Sequence, residues 1–209
     1  MSKKDLTILD KKSVFIDKTV KLGKGVIIYE NNRIEGNTVI GDNVKIMPNC
    51  YIVDCIIGDN TTVFSSVLES SIVENDCALG PYSHLRPNSV IKAKAKIGNF
   101  VEIKNAVIGE GSKVNHLAYV GDAEIGKNCN IGCGAIFVNY NGKIKQKTIV
   151  GDNCFIGSNC NVIAPVVIEN KSYICAGTTV TDKIEEGDFV IGRVRQEVKK
   201  NLAKKYLKD

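Results

Sequence analysis

His84 and His116 are the only histidines among the 209 residues, which also include eight cysteines. An imidazole titrates near neutrality and can take a proton from an amine or a hydroxyl. Arginine and lysine together suit a phosphate, the guanidinium forking onto two oxygens and the ammonium acting as a point charge. Clustered thiols can hold zinc or pair as disulfides. Which chemistry applies depends on the elements that gather these groups, because Arg86, Glu102, Lys104, His116 and Tyr119 are spread from position 86 to position 119 of the chain.

Composition narrows the elements. The aromatic share is 6% and tryptophan is absent, whereas glycine is plentiful at 19 residues. Packed helices usually use more aromatic side chains, so something more regular is expected. The net charge of +5 comes mostly from lysines near the two ends. No basic stripe interleaved with stacking aromatics is present, which argues against a nucleic-acid surface. The opening MSKKDLTILDKK has no apolar signal core, and no stretch reaches membrane-spanning length. A cytoplasmic protein is expected, in which the cysteines need a role other than a disulfide framework.

One period dominates. Aliphatic residues recur every six positions at Ile16, Leu22, Ile28, Ile34, Ile40, Ile46 and Ile52, and with interspersed steps of five the series continues through Ile57, Val63, Leu68, Val73, Leu79, Leu85, Ile91, Ile97, Ile103, Ile108, Val114, Val120, Ile125, Ile131 and Phe137. It resumes at Val150, Ile156, Val162, Ile168, Ile174 and Val180. Neither the helical nor the ordinary strand period gives this spacing. The position two before each aliphatic is nearly always small, as at Ser83, Ser89, Ala95, Ala106, Ala118 and Ala135, with Asn32 the one bulky polar exception. Such hexapeptide repeats predict short strands wound into a parallel β-helix, with both positions pointing inward. Cys50, Cys55, Cys77, Cys129, Cys154 and Cys160 fall in the small slot and act as small hydrophobes, leaving Cys133 and Cys175 outside it. Cys129 and Cys133 would then point opposite ways, so no closed zinc set forms and no metal is expected.

The same register puts His116 outside the core, on a flat face between corners. Three steps complete a coil, so Leu85, Ile103, Val120 and Phe137 stack in one column, bringing Glu102 to within a coil of His116 and Tyr119. Arg86 and Lys104 follow just past the same corner. After Phe137 the ladder breaks at VNYNGKIKQKTI (138–149), which predicts a bulging loop; with Ile144 taken as a rung, Asn139, Ser158 and Ala176 share one column. The expected organisation is a lead-in over 1–12, the β-helix over 13–181, and a tail over 182–209. In that tail Val198, Leu202 and Tyr206 recur at helical spacing, predicting a short basic helix.

Five blocks are more specific than the repeat: GPYSHLRP (80–87), IGNFVEIKNA (97–106), NHLAYVGDAEIG (115–126), NIGCGAIFVNYNG (130–142) and SYICAGTTVT (172–181). Across roughly residues 10–195 the chain resembles the acetyltransferase half of the bifunctional glucosamine-1-phosphate acetyltransferase and N-acetylglucosamine-1-phosphate uridyltransferase family. The resemblance implies a left-handed coil, against the usual right-handed crossover preference, packed as a homotrimer with sites between subunits. It implies transfer of acetyl from acetyl-CoA to glucosamine 1-phosphate for cell-envelope precursors. His116 matches the general base and Glu102 an acidic partner near it. Arg86, Lys104, Tyr119, Asn130 and Lys145 match sugar-phosphate contacts. Cys133, Asn139, Tyr140, Ser158, Ala176 and Arg193 match the acetyl-CoA side. Cys133 stands where the family commonly has alanine. No activated thiolate is expected there, and its contribution would be through its backbone. The glycine-rich loop that opens the uridyltransferase half has no counterpart here, so uridyl transfer and its magnesium are expected to be absent.

The residues suit the reaction on their own terms. An ammonium must lose a proton before it attacks a thioester, and an imidazole can take it. Ser158 or a backbone N–H could hold the developing oxyanion. Two readings compete: another amino-sugar or hydroxyl acceptor, and a non-catalytic scaffold. A zinc hydratase on this fold would need three histidines. His84 is expected to be solvated.

Overall fold

The computed structural model describes residues 6–207. The chain winds through about ten turns into a three-sided all-β solenoid. Its faces are parallel sheets of eleven, ten and nine strands, and consecutive strands visit the three in rotation until the last, Phe189–Val190, which returns directly from the ten-stranded to the eleven-stranded sheet. We call the eleven-, ten- and nine-stranded sheets the first, second and third faces. On the second face Leu85, Ile103 and Val120 lie in register, as do Ile97, Val114, Ile131, Ile156 and Ile174 on the first.

The inward slots are filled as the repeat requires. From Ile28 onward the repeat aliphatics are buried, with Ser83, Ser89, Ala95, Ala106, Ala118 and Ala135 beside them, and Ile16 and Leu22 are partly buried at the start of the coil. Phe137 is the one aromatic ring among the described core residues. Asn32 fits a small slot because each polar atom finds a partner: Oδ1 accepts from Cys50 N–H at 2.7 Å, and Nδ2 donates to the Tyr29 and Ile46 carbonyls at 3.0 and 3.3 Å. The six slot cysteines are buried and, with Cys133 and Cys175, unpaired. Cys175, outside the slot, is nevertheless buried. Corners turn through left-handed backbone, and many of these residues are Asn, Asp or Gly, the types that tolerate positive φ most readily.

The coil extends past both expected boundaries. Leu6–Ile8 already pairs with Val26–Ile28, and Phe189–Val190 pairs with Tyr173–Ile174. Ile144 is not a rung: it is 56% exposed at the edge of the protruding segment 139–147. The ladder passes directly from Phe137 to Thr148 and Val150, which align with Ala123 and Ile125. The tail forms a single 3₁₀ turn, Leu202–Lys205, with nothing buried. Val198, Leu202 and Tyr206 are exposed within the single chain, and a short segment without tertiary packing does not sustain a helix.

Cutting the stack at mid-coil should be costly, whereas trimming an outward position should not. Ile103→Ala is expected to lower unfolding free energy by about 2–5 kcal/mol. Ile56→Ala, on an exposed third-face position, is expected to change it by less than about 1 kcal/mol. Urea denaturation followed by circular dichroism measures both.

Candidate active site

The first and second faces meet at a corner occupied by Phe100 and Leu117, both at positive φ (56° and 44°). His116 is the last residue of the strand Lys113–His116, just before that corner. Its register partner is Asn99, and its Nδ1 lies 2.7 Å from the Asn99 side-chain oxygen. Two residues past the aligned Val114, Ile131, Ile156 and Ile174 come His116, Cys133, Ser158 and Ala176, so these four run along one edge on successive coils. A Cβ on the flanking Gly157 would come within 2.4 Å of Ala176 N, so the floor beside this edge stays bare backbone. Among the described residues the N–H groups of Cys133, Ser158 and Ala176 have no protein acceptor. At the far end Arg193 donates to the Ala176 carbonyl at 3.1 Å.

Across the corner, Glu102 and Tyr119 are register partners on the second face. Glu102 does not reach toward His116 as a tautomer-fixing partner; it accepts from Arg86 at 2.9 Å. The reason is register. Glu102 stands beside Tyr119, and the residue one coil before His116 is Asn99. Tyr119 lies flat because Gly121 leaves room: a Cβ there would come within 2.4 Å of the phenol oxygen. His84 is not merely solvated, since its Nε2 is 2.8 Å from Glu69 Oε2.

Arg86, Lys104, Asp122 and Lys145 line a cleft of about 420 Å³ at the next corner, with Pro87, Asn88 and Asn105. Lys145 reaches it from the loop, a short hairpin in which Tyr140 and Lys145 bridge and Gln146 N–H donates to the Asn139 carbonyl at 2.8 Å. Lys145 beside it, and then burial, hold the Lys104 ammonium below the usual lysine range. Two cations held this close favour an anion between them.

Asp122 is their nearest counter-charge, with its carboxylate 3.8 Å from Lys104 Nζ. Its side chain is 12% exposed. Burial alone would raise its pKa, but bonds from Asn105 and Asn139 and the charges of Lys104 and Lys145 outweigh it, holding the carboxyl below its ordinary value. Asn139 therefore sits in a column with Asp122 and Asn105 and donates to Asp122 and to Tyr119 Oη. It does not stack with Ser158 and Ala176. Their coil neighbour is Cys133, because without Ile144 as a rung the loop residues belong to the other corner.

Within one chain, then, His116, Cys133, Ser158, Ala176 and Arg193 share an edge, while Glu102, Tyr119, Arg86, Lys104, Lys145, Asn139 and Tyr140 gather on the second face and its far corner. Asn130 stands apart on the first face, beside Lys113. Asn99 and Asp122 are additional site residues that the sequence reading left out, though counting one coil back from His116 and from Asn139 finds both.

Model matches cover two segments, the GMPPB C-terminal domain over residues 67–138 and the hexapeptide repeat of succinyl-transferase over residues 147–182. The chain is 47% identical over 191 residues to the bifunctional protein GlmU of Clostridium beijerinckii, covering 91% of this chain and 42% of that one. Identity to GlmU of Caldanaerobacter subterraneus is 51% over 203 residues, covering 97% and 44%. This chain is a homologue of the C-terminal part of GlmU. It spans less than half the length of these GlmU relatives. A perosamine N-acetyltransferase from Caulobacter crescentus, solved with CoA and GDP-perosamine, shares the fold at a TM-score of 0.50 and 21% identity, over 58% of this chain and 57% of that one.

Because the folded pKa of Asp122 is depressed, its contribution to stability is full above its ordinary value near 3.8 and is lost as pH falls through the lower folded value. Asp122→Asn should therefore cost about 1–3 kcal/mol at pH 7, with the gap to wild type narrowing below pH 4. Urea melts at pH 7 and pH 3 check this; a gap independent of pH rejects it.

Proposed function

We propose that this chain moves the acetyl group of acetyl-CoA to the amine of glucosamine 1-phosphate, giving N-acetylglucosamine 1-phosphate for the UDP-sugar used in cell-envelope synthesis. One observation carries the reading. An imidazole heads an edge of small residues with unpaired N–H groups, and around its corner a cleft holds mutually repelling cations.

In this reading the sugar phosphate sits against Arg86, Lys104 and Lys145, where a dianion relieves the crowding of the two lysines. Tyr119 and Glu102 lie between that cleft and the corner, so the sugar ring spans the second face. Its ammonium gives a proton to His116, and the free amine attacks the thioester carbonyl. The C–N bond forms as the carbonyl becomes an oxyanion, which Ser158 or an edge N–H stabilises. Collapse breaks the C–S bond. The CoA thiolate leaves and takes one of the two protons lost from nitrogen, and the other goes to solvent. No covalent enzyme intermediate is needed. The pantetheine arm follows Cys133, Ser158 and Ala176 toward Arg193.

Asn130 on the first face, and Asn139 with Tyr140 beyond the second, lie off the path one chain provides. This supports a homotrimer in which neighbouring copies complete each site, with Asn130 reaching the sugar and Asn139 and Tyr140 the cofactor. The eight unpaired cysteines suit a reducing compartment such as the cytoplasm.

Product mass, followed with acetyl-CoA and glucosamine 1-phosphate, tests the assignment. His116→Ala is expected to lower the rate at least about a hundredfold. Lys104→Ala is expected to raise the KM for the sugar phosphate roughly ten- to a hundredfold through loss of a charge-assisted bond, leaving the KM for acetyl-CoA nearly unchanged. Equal rates for wild type and His116→Ala would remove the base from its role, and acetyl-CoA binding without product would point to another acceptor.

A further inference from the structure

We infer that Asn99 sets the tautomer of His116, leaving Nε2 bare to accept the proton, and is a positioning residue for the acetyl transfer proposed above. The two residues close the four-residue strands Lys96–Asn99 and Lys113–His116, which lie in register to their last pair. The 2.7 Å contact is between His116 Nδ1 and the Asn99 Oδ1. An amide oxygen only accepts, so Nδ1 must carry the hydrogen, and a neutral ring protonated there has its lone pair on Nε2. Among the described residues, nothing else in the protein bonds the ring.

Asn99 also holds the backbone that aims the ring. Its carbonyl accepts from Leu117 N–H at 3.0 Å, and Leu117 is a bulky side chain at φ 44°. Bulky residues are rare in that region and persist where their surroundings fix them. Here a second bond, Gly134 N–H to the Leu117 carbonyl at 3.0 Å, fixes it from the next coil. One residue thus grips the ring through its side chain and the corner behind the ring through its main chain. Glu102, three residues on from Asn99, stands past the corner and is engaged by Arg86 at 2.9 Å. An amide in this place fixes the tautomer without adding charge, so the imidazole is not tied to a carboxylate that would favour its protonated form.

Two histidines make the test direct. Long-range proton–nitrogen spectra of the full chain, taken about two pH units above the ordinary imidazole value, report which ring nitrogen carries hydrogen; His84→Gln identifies the His116 signals. In wild type, His116 is expected to show hydrogen on Nδ1. Asn99→Leu keeps the size and removes the acceptor: the spectrum should become a tautomer mixture, and kcat should fall about tenfold or more with both KM values within about twofold. Asn99→Asp restores an acceptor oxygen and should recover the wild-type tautomer and most of the rate. Hydrogen on Nε2 in the wild type overturns the inference, as does an Asn99→Leu variant matching wild type in tautomer and rate. The Nδ1–H tautomer in a wild type that acetylates no sugar phosphate would overturn the function proposed above while upholding Asn99's hold on the ring.

Discussion

The backbone hydrogen bonds running from each coil to the next, such as Arg86 N–H to the Ile103 carbonyl at 2.8 Å and Glu102 N–H to the Ala118 carbonyl at 2.9 Å, keep the turns in register. Because that register is parallel, every residue has its counterpart one coil away directly above and below. Inside, this stacks aliphatics on aliphatics and small residues on small ones, so a few slot shapes serve the whole core. Outside, it makes columns, and a column can bring residues from distant positions side by side. His116 with Asn99, Tyr119 with Glu102, and Asp122 with Asn105 and Asn139 are all pairs of this kind.

The electrostatics of the site follow from the same geometry. Along this part of the second face the polar contacts run diagonally between neighbouring columns: His84 contacts Glu69, and Arg86 contacts Glu102. At Lys104 the diagonal breaks, because the position that would supply its carboxylate is Tyr119. Lys104 is left with Asp122 around the corner and with Lys145 against it. An exposed ion pair contributes little, so the break costs the fold little. What it leaves is a partly buried cation with part of its charge unmet, next to a second one.

Much of this was legible in the sequence, and the losses have definite causes. The period of six identified the coil and its inward slots, placed His116 outside the core, and put Arg86 beside Lys104. Each of these follows from spacing alone. The position of Asn139 did not, because it depended on where the ladder resumes after the loop; Ile144 has the right chemistry for a rung, yet it lies exposed while Val150, aligned with Ile125, is the next rung. The partner of His116 was missed for a different reason. Glu102 is a more obvious partner by chemistry, but the corner at Phe100 and Leu117 separates the two faces, and the column belongs to Asn99. Periodicity locates a side chain on a face; which neighbour it meets also needs the corner. The tail has helical spacing, but within the single chain nothing packs on it, and pattern alone carries no information about that.

The two ends of the site differ in how firmly they are held. Moving His116 relative to Asn99 by a residue would mean slipping one strand past another, and a slip of one residue turns Val114 and its neighbours outward along the whole strand. The alignment of His116 with Asn99 is therefore protected by the hydrophobic core itself. Lys145 has no such protection. It belongs to a hairpin outside the coil, whose root is tied back through Asn139 to Asp122 and whose tip is stabilised by Asn141 Oδ1 accepting from the N–H groups of Lys143 and Ile144. Proton transfer is sensitive to small displacements of the accepting atom, whereas a charged ligand is attracted over longer distances and tolerates some movement of the cation that meets it. In the proposed reaction, an imidazole fixed by the coil and a cation carried on a hairpin outside it would match the needs of the two ends, and the solenoid provides both by keeping one residue in the coil and the other on its excursion.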